Sequence, residues 1–267
     1  MNAVELGPWI IVALVAGGLL AGWIDAVVGG GGLIQLPVLL LVPGMSPIQA
    51  VATNKVGSIV GTAGSTVTYL RKVKPDKSLT VPGAVFALVG AVVGAKIATL
   101  IPGDAFEPII VLVLLGVGVF TLLKPAMGAE AHLRFGLRSK RHHALGWLLG
   151  LVVGVYDGAL GPGTGSFLVI GLVALLGYSF LQASASAKIM NLATNLGALL
   201  LFVPAGHVVW AAGLAVAVGN LAGGIIGART ALRFGSGFVR IVFIVVLVVL
   251  IITLGAPLLA NLVTVEG

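Results

Sequence analysis

The sequence predicts an all-α integral membrane protein of two inverted-topology repeats. Each repeat has about five hydrophobic segments, with broken or half-helices at glycine-rich motifs. Three observations carry this. The chain is 59% hydrophobic and 9% charged, with a mean hydropathy of +1.19. Soluble domains carry roughly 25% charged residues, so this chain has too little polar material to cover a globule. Apolar segments recur along its whole length, and its two halves repeat one another.

The N-terminus, "MNAVELGPWIIVALVAGGLLAGW", carries Glu5 and no basic n-region. It reads as a first transmembrane helix rather than a cleaved signal peptide, with Pro8 in its first turn. That segment spans roughly 8–28, and others follow at 33–43, 47–70, 79–101, 105–123, 145–160, 166–176, 180–203, 207–229 and 238–258. The only long polar loop is "PAMGAEAHLRFGLRSKRHH", 125–143. The expected organisation is an N-terminal transmembrane repeat over 1–124, a cytoplasmic linker over 125–144 and a C-terminal transmembrane repeat over 145–267.

The duplication is visible residue by residue. "GLLAGWIDAVVGGGG" (18–32) aligns with "GLVVGVYDGALGPGT" (150–164) at an offset of 132. At an offset of 133, "GMSPIQAVATNK" (44–55) meets "GYSFLQASASAK" (177–188), and "GAVVGAK" (90–96) meets "GGIIGAR" (223–229).

An odd number of crossings per repeat returns the second copy upside down, as in many secondary transporters. The charges agree. One side holds Arg71, Lys72, Lys74 and Lys77, then Arg134, Arg138, Lys140 and Arg141, then Arg229, Arg233 and Arg240. The other holds Glu5, Lys96, Asp104, Glu107 and Glu266. Basic residues favour the cytoplasm, so both termini are expected outside. An eight-crossing arrangement would put the 229–240 loop outside and ranks lower. Trp9, Trp23, Trp147 and Trp210 fit interfacial anchors.

Segments 33–43 and 166–176 are short against the roughly 20 residues of a spanning helix. Each follows a glycine run, "GGGG" at 29–32 and "GPGTG" at 161–165. The expectation is extended backbone crossing part of the membrane, then a half-helix. Gly29, Gly30, Gly31 and Gly32, with Gly161, Gly163, Thr164 and Gly165, could then offer bare backbone N–H groups to an anion at a helix N-terminus. The competing reading is tight helix packing. No Walker A element follows.

Ser46-Pro47-Ile48-Gln49 reads as a capping box, and Ser179 with Gln182 repeats it. A helix starting there places Lys55 about 12 Å along, near the bilayer midplane, and Lys188 likewise. Ionisable groups at that depth are functional candidates. The alternatives are snorkelling or a structural pair with Asp25 or Asp157. Ser58 and Thr62 continue the Lys55 face, and Asn191 and Asn195 that of Lys188, as hydrogen-bonding stripes beside Thr53 and Asn54. Asp25 and Asp157 precede the glycines and are either ion-pair partners or coupling-proton carriers. Gly90-x-x-x-Gly94 and Gly223-x-x-x-Gly227 are helix-packing motifs, followed by Lys96 and Arg229.

The chain has no Cys, and its His are at 132, 142, 143 and 207, three of them in the polar loop. Neither thiolate chemistry nor a zinc enzyme is expected, and no cofactor or metal is implied. The polar loop is expected to be solvated, without catalytic content. The net charge of +7 is explained by topology, so nucleic acid is not an expected partner.

"GWIDAVVGGGGLIQLP", "AVATNK", "GVYDGALGPGTGSF" and "AKIMNLATN" resemble the TauE/SafE sulfite-exporter family of membrane proteins. The resemblance covers nearly the whole chain. It implies a transporter of small sulfur-containing or organosulfonate anions in the bacterial cytoplasmic membrane. "SASAK" departs from the more usual Thr-before-Lys pattern, having Ser186 and Ala187, so no threonine hydroxyl is carried over there.

The reading is therefore a secondary transporter of small anions working by alternating access, with proton coupling open. The chain has no ATP-binding element. The expected partners are a small anion and the lipid bilayer, with a homo-oligomer allowed. An anion channel is the first alternative. An intramembrane enzyme would have only Asp25 and Asp157 to act with, and a scaffold has no need for midplane lysines.

Overall fold

A computed structural model describes residues 6–102, 109, 112, 132–137 and 139–265. Its helices are α1 (Pro8–Val28), α2 (Gly32–Leu40), α3 (Pro47–Leu70), α4 (Lys77–Ala98), α5 (Lys140–Ala159), α6 (Thr164–Gly171), α7 (Phe180–Phe202) and α8 (Trp210–Val265). A π-helical turn, Leu172–Leu176, continues α6. Among the described residues there is no strand. The expected segment 105–123 lies outside the described residues, apart from 109 and 112. So does the linker over 125–131.

Pro8–Val28, Lys77–Ala98, Phe180–Phe202 and Trp210–Gly235 are long and apolar enough to cross a membrane. Helix α3 has 24 residues, which rise about 36 Å and also suffice. Its lower hydropathy comes from buried Thr53, Asn54, Lys55, Thr62, Ser65 and Thr66, which face protein rather than lipid.

Three expectations change. The 229–240 stretch is not a loop: Arg229 and Arg233 lie on α8, which is interrupted only at Gly235 (φ 73°, ψ −169°). Helix α5 begins at Lys140, so the end of the polar loop is helical. The glycine runs are not extended. Gly29 is left-handed (φ 84°) and Gly31 is already helical (φ −57°, ψ −39°), while Gly161 and Gly163 have φ of 97° and 77°. The chain turns sharply instead of crossing as a strand, because the half-helix packs back on its parent. A Cβ built on Gly31 would sit 2.6 Å from Cβ of Asp25.

Small residues set the packing. Gly18 and Gly22 of α1 meet Val216 and Asn220 of α8, and Gly219 and Gly223 of α8 meet Val15 and Leu19 of α1. These contacts advance in step, so α1 and α8 run parallel. Gly57 and Gly61 of α3 meet Val216 and Asn220, again parallel. In the same way, Gly150, Gly154 and Gly158 of α5 rest on Gly83, Ala87 and Ala91 of α4, while Gly83 and Leu88 of α4 meet Met190 and Gly197 of α7. Glycine permits this backbone approach: a Cβ on Gly94 would lie 1.9 Å from the Val155 carbonyl oxygen.

The helices thus sort into two bundles, α1–α3–α8 and α4–α5–α7, with α2 on the first and α6 on the second, and the bundles pack on one another along α3 and α7. Neither bundle is a sequence half. The first takes α8 from the C-terminal half, and the second takes α4 from the N-terminal half.

Candidate functional site

Both lysines are set by the same local device. Ser46 Oγ accepts from Gln49 N, and Gln49 Oε1 accepts from Ser46 N (2.9 Å); Ser179 and Gln182 repeat both bonds. Each capping box fixes where its helix begins. Lys55 and Lys188 then follow their caps at the same interval, and both are buried, at 0% and 2% exposure.

Each lysine reaches into the opposite half and the opposite bundle. Lys55 Nζ on α3 contacts Asp157 Oδ1 on α5 at 2.9 Å and donates to the Asp157 carbonyl at 2.5 Å. Lys188 Nζ on α7 contacts Asp25 Oδ2 on α1 at 2.7 Å and also donates to the Asp25 carbonyl. Each ammonium therefore meets a carboxylate and the C-terminal carbonyls of a helix, both negative. The Asp25 side chain is 14% exposed and that of Asp157 3%, so the Lys188 pair is the more accessible.

The glycine turns meet between the pairs. Ser166 N donates to the Gly29 carbonyl (3.1 Å), and Ser166 Oγ to the Val28 carbonyl (2.9 Å). Gly29 needs its left-handed φ, and a Cβ there would fall 2.3 Å from the carbonyl carbon of Gly165. Thr164 Oγ1 lies within hydrogen-bond reach of both Asp157 Oδ1 (2.5 Å) and the Gly161 carbonyl (2.7 Å), which share its one proton. One backbone N–H in the first turn of α6 is thus already used by the other half's glycine turn.

Between these elements lies a cavity of about 10 Å³, room for about one water. Asp25, Gly29, Gly32, Asn54, Ser58, Asp157, Gly161, Gly163, Thr164, Gly165, Asn191 and Asn195 line it. Gly30, Gly31, Thr53, Lys55 and Lys188 are not among the lining residues. Thr53 faces α8, where its Oγ1 accepts from Val209 N (3.0 Å). Asn191 and Asn195 are joined by an Nδ2–carbonyl bond of 2.8 Å. Among the described residues, two buried oxygens, Asn54 Oδ1 and Asp157 Oδ2, have no hydrogen-bond partner.

Two supporting residues carry no motif. Gln35 Nε2 donates to the Asn54 carbonyl (2.9 Å), and Asn220 Nδ2 donates to Gln35 Oε1, tying α8 through α2 to α3. Their one signal in the sequence is a single amide interrupting each apolar run. A separate polar cluster joins α4, α5 and α7 at their N-terminal ends. His142 Nε2 bonds Tyr178 OH (2.8 Å), which donates to Asp76 Oδ2 (3.2 Å). Fully buried His142 belongs to a packed contact rather than the solvated linker expected of it. Burial, then neighbouring His143, pushes its pKa down. Burial pushes Asp76 up, but hydrogen bonds led by that from Ser78 Oγ outweigh it and hold it below the usual range.

The family model for the sulfite exporter TauE/SafE matches residues 14–254. The chain belongs to the TauE/SafE family. Among TauE/SafE relatives, the probable membrane transporter protein ORF9 of Sinorhizobium sp is 34% identical over 253 residues, covering 94% of each chain. The probable membrane transporter protein YfcA of Escherichia coli K12 is 34% identical over 243 residues, 90% of this chain and 88% of its own. A probable membrane transporter protein of Haemophilus influenzae is 32% identical over 246 residues, 88% of this chain and 91% of its own. No solved structure matches the chain. With its apolar spanning helices, the protein is a multi-pass membrane transporter of the TauE/SafE type.

Proposed function

We propose that this protein is a secondary transporter moving small anions (sulfite, sulfonates or related sulfur-containing or organic anions) across the bacterial cytoplasmic membrane by alternating access. In this reading the halves are inverted repeats, with basic loops inside and both termini outside. The parallel runs of α1 and α3 with α8, and of α4 with α5 and α7, support that symmetry.

The observation that carries the reading is the pair of ion pairs spanning two bundles around a small polar cavity. The moving bodies are the bundles, not the sequence halves. An anion reaching the centre competes with Asp25 or Asp157 for a lysine. Once it wins, the cross-bundle link opens and the bundles are free to rock. The glycine turns, Asn54, Ser58, Thr164, Asn191 and Asn195 supply hydrogen bonds, while Gly30, Gly31 and Thr53 hold the scaffold. Protonating a released carboxylate offsets the cost of leaving it buried and unpaired. Asp157 Oδ2, buried and without a hydrogen-bond partner among the described residues, is the oxygen with room to accept that proton.

The test removes each pair as a unit. Lys55→Gln with Asp157→Asn, and Lys188→Gln with Asp25→Asn, leave no orphaned charge. Sulfite affinity of the purified protein should be lost in both double variants while each remains monodisperse. Unchanged affinity in both overturns the site.

A further inference from the structure

Away from the central cavity, the lipid-facing side between α3 and α8 is open. The helices touch at Gly61 and Gly224, where a Cβ on Gly224 would lie 2.6 Å from the Gly61 carbonyl oxygen. One turn on, a Cβ on Gly64 would still lie 2.7 Å from Leu221, and the outer side of this contact forms a groove of about 570 Å³, walled by apolar side chains such as Ile59, Val60, Val67, Leu221 and Ile225. Thr68, its one neutral polar side chain, spends its hydroxyl on the Gly64 carbonyl (2.8 Å). Arg71 and Arg229 close the end of this groove and also line an adjoining cavity of about 480 Å³, with Lys72 and Arg233.

The two spaces adjoin through Thr68, Arg71 and Arg229, the first apolar along its length and the second cationic. Among the described residues no carboxylate lines either space, and neither ion pair uses these cations. All four are exposed. Snorkelling would account for one basic side chain at each helix end. It does not account for four converging on a shared recess that continues into an acyl-sized groove.

We propose that this groove binds an anionic phospholipid, its acyl chain lying between α3 and α8 and its phosphate held by Arg71 and Arg229, with Lys72 and Arg233 around the headgroup. Arginine pairs are suited to bidentate phosphate contact, and basic recesses between transmembrane helices favour anionic headgroups. The site sits wholly within the α1–α3–α8 bundle, so it is separate from the anion pathway.

The test uses purified full-length protein in mild detergent. Native mass spectrometry and thermal shift compare dioleoylphosphatidylglycerol, dioleoylphosphatidylcholine and inorganic phosphate. Phosphatidylglycerol should bind and raise the melting temperature, whereas phosphatidylcholine binds more weakly and inorganic phosphate causes no shift. Arg71→Gln with Arg229→Gln should weaken phosphatidylglycerol binding about thirty-fold. Lys96→Gln, an exposed cation elsewhere, should leave it unchanged. Ala63→Trp, which fills the groove without touching charge, should also displace the lipid. Equal binding of the two lipids, an equal shift with phosphate alone, or an unaffected double-arginine variant overturns the proposal.

Discussion

Lys55 holds Asp157 twice, through the carboxylate at 2.9 Å and through the main-chain carbonyl at 2.5 Å. One ammonium on the α1–α3–α8 bundle thereby caps the end of α5 on the other bundle. Lys188 does the same to Asp25 in the reverse direction. The two links are equivalent by position and unequal by access, and this difference makes them separable by experiment.

Removing one partner leaves a buried charge without compensation. Lys55→Ala alone should cost about 3–5 kcal/mol of stability, and Asp157→Ala a similar amount. The double variant should recover most of that loss and still fail to transport. Thermal denaturation with proteoliposome uptake checks both. Asp25→Ala should cost less, because its side chain is the more exposed of the two.

Gly29 and Gly44 separate strain from crowding. Both have positive φ, 84° and 77°. A Cβ on Gly44 meets nothing within 4 Å, whereas one on Gly29 strikes Gly165 backbone at 2.3 Å. Gly44→Ala should therefore cost only the left-handed backbone penalty, about 1–2 kcal/mol. Gly29→Ala should cost more and disturb the junction of the two half-helices. Melting temperatures of the two variants, measured side by side, decide this.

The α4–α5–α7 polar cluster should make stability fall in mild acid. Buried His142 titrates below its ordinary 6.5, so from about pH 6.5 downward the unfolded chain takes a proton that the folded ring resists. Stability drops over that window and levels off once the folded ring is protonated too. Asp76, held below 3.8, adds a second loss only at lower pH, as acid reaches its folded-state value. A pH series of melting curves should show the first slope in the wild type. His142→Gln should flatten it.

Much of the site is legible in the sequence because it is written there twice. The duplicated Asp, Gly, Ser-x-x-Gln and Lys positions each mark a local rule: a cap, a tight turn, a charge at depth. Such rules act within a few residues. What periodicity does not supply is pairing. Whether Lys55 meets Asp25 or Asp157 depends on how the halves interlock, and that is set by close contacts of Gly18, Gly22, Gly90 and Gly94 with helices from the other half. Thr53 shows the same limit. One residue before Asn54, it points to the opposite helix face and bonds Val209 instead of the cavity. Segment length by itself favours extended glycine backbone. The half-helices instead fold back, and Gly31 fits beneath Asp25 because it has no side chain.

The central claim is that an anion opens the link between the two bundles. The absence of native cysteine makes it directly measurable with spin labels. Leu70 on α3 and Leu148 on α5 are exposed positions on different bundles, while Leu70 and Phe234 on α8 share one. Cysteine pairs at these positions, labelled in reconstituted protein, give the two distances by electron spin resonance with and without saturating sulfite. The account predicts that the Leu70–Leu148 distance distribution shifts and the Leu70–Phe234 distribution stays fixed. A sulfite-bound protein with both distances unchanged, or with both shifted alike, would contradict it.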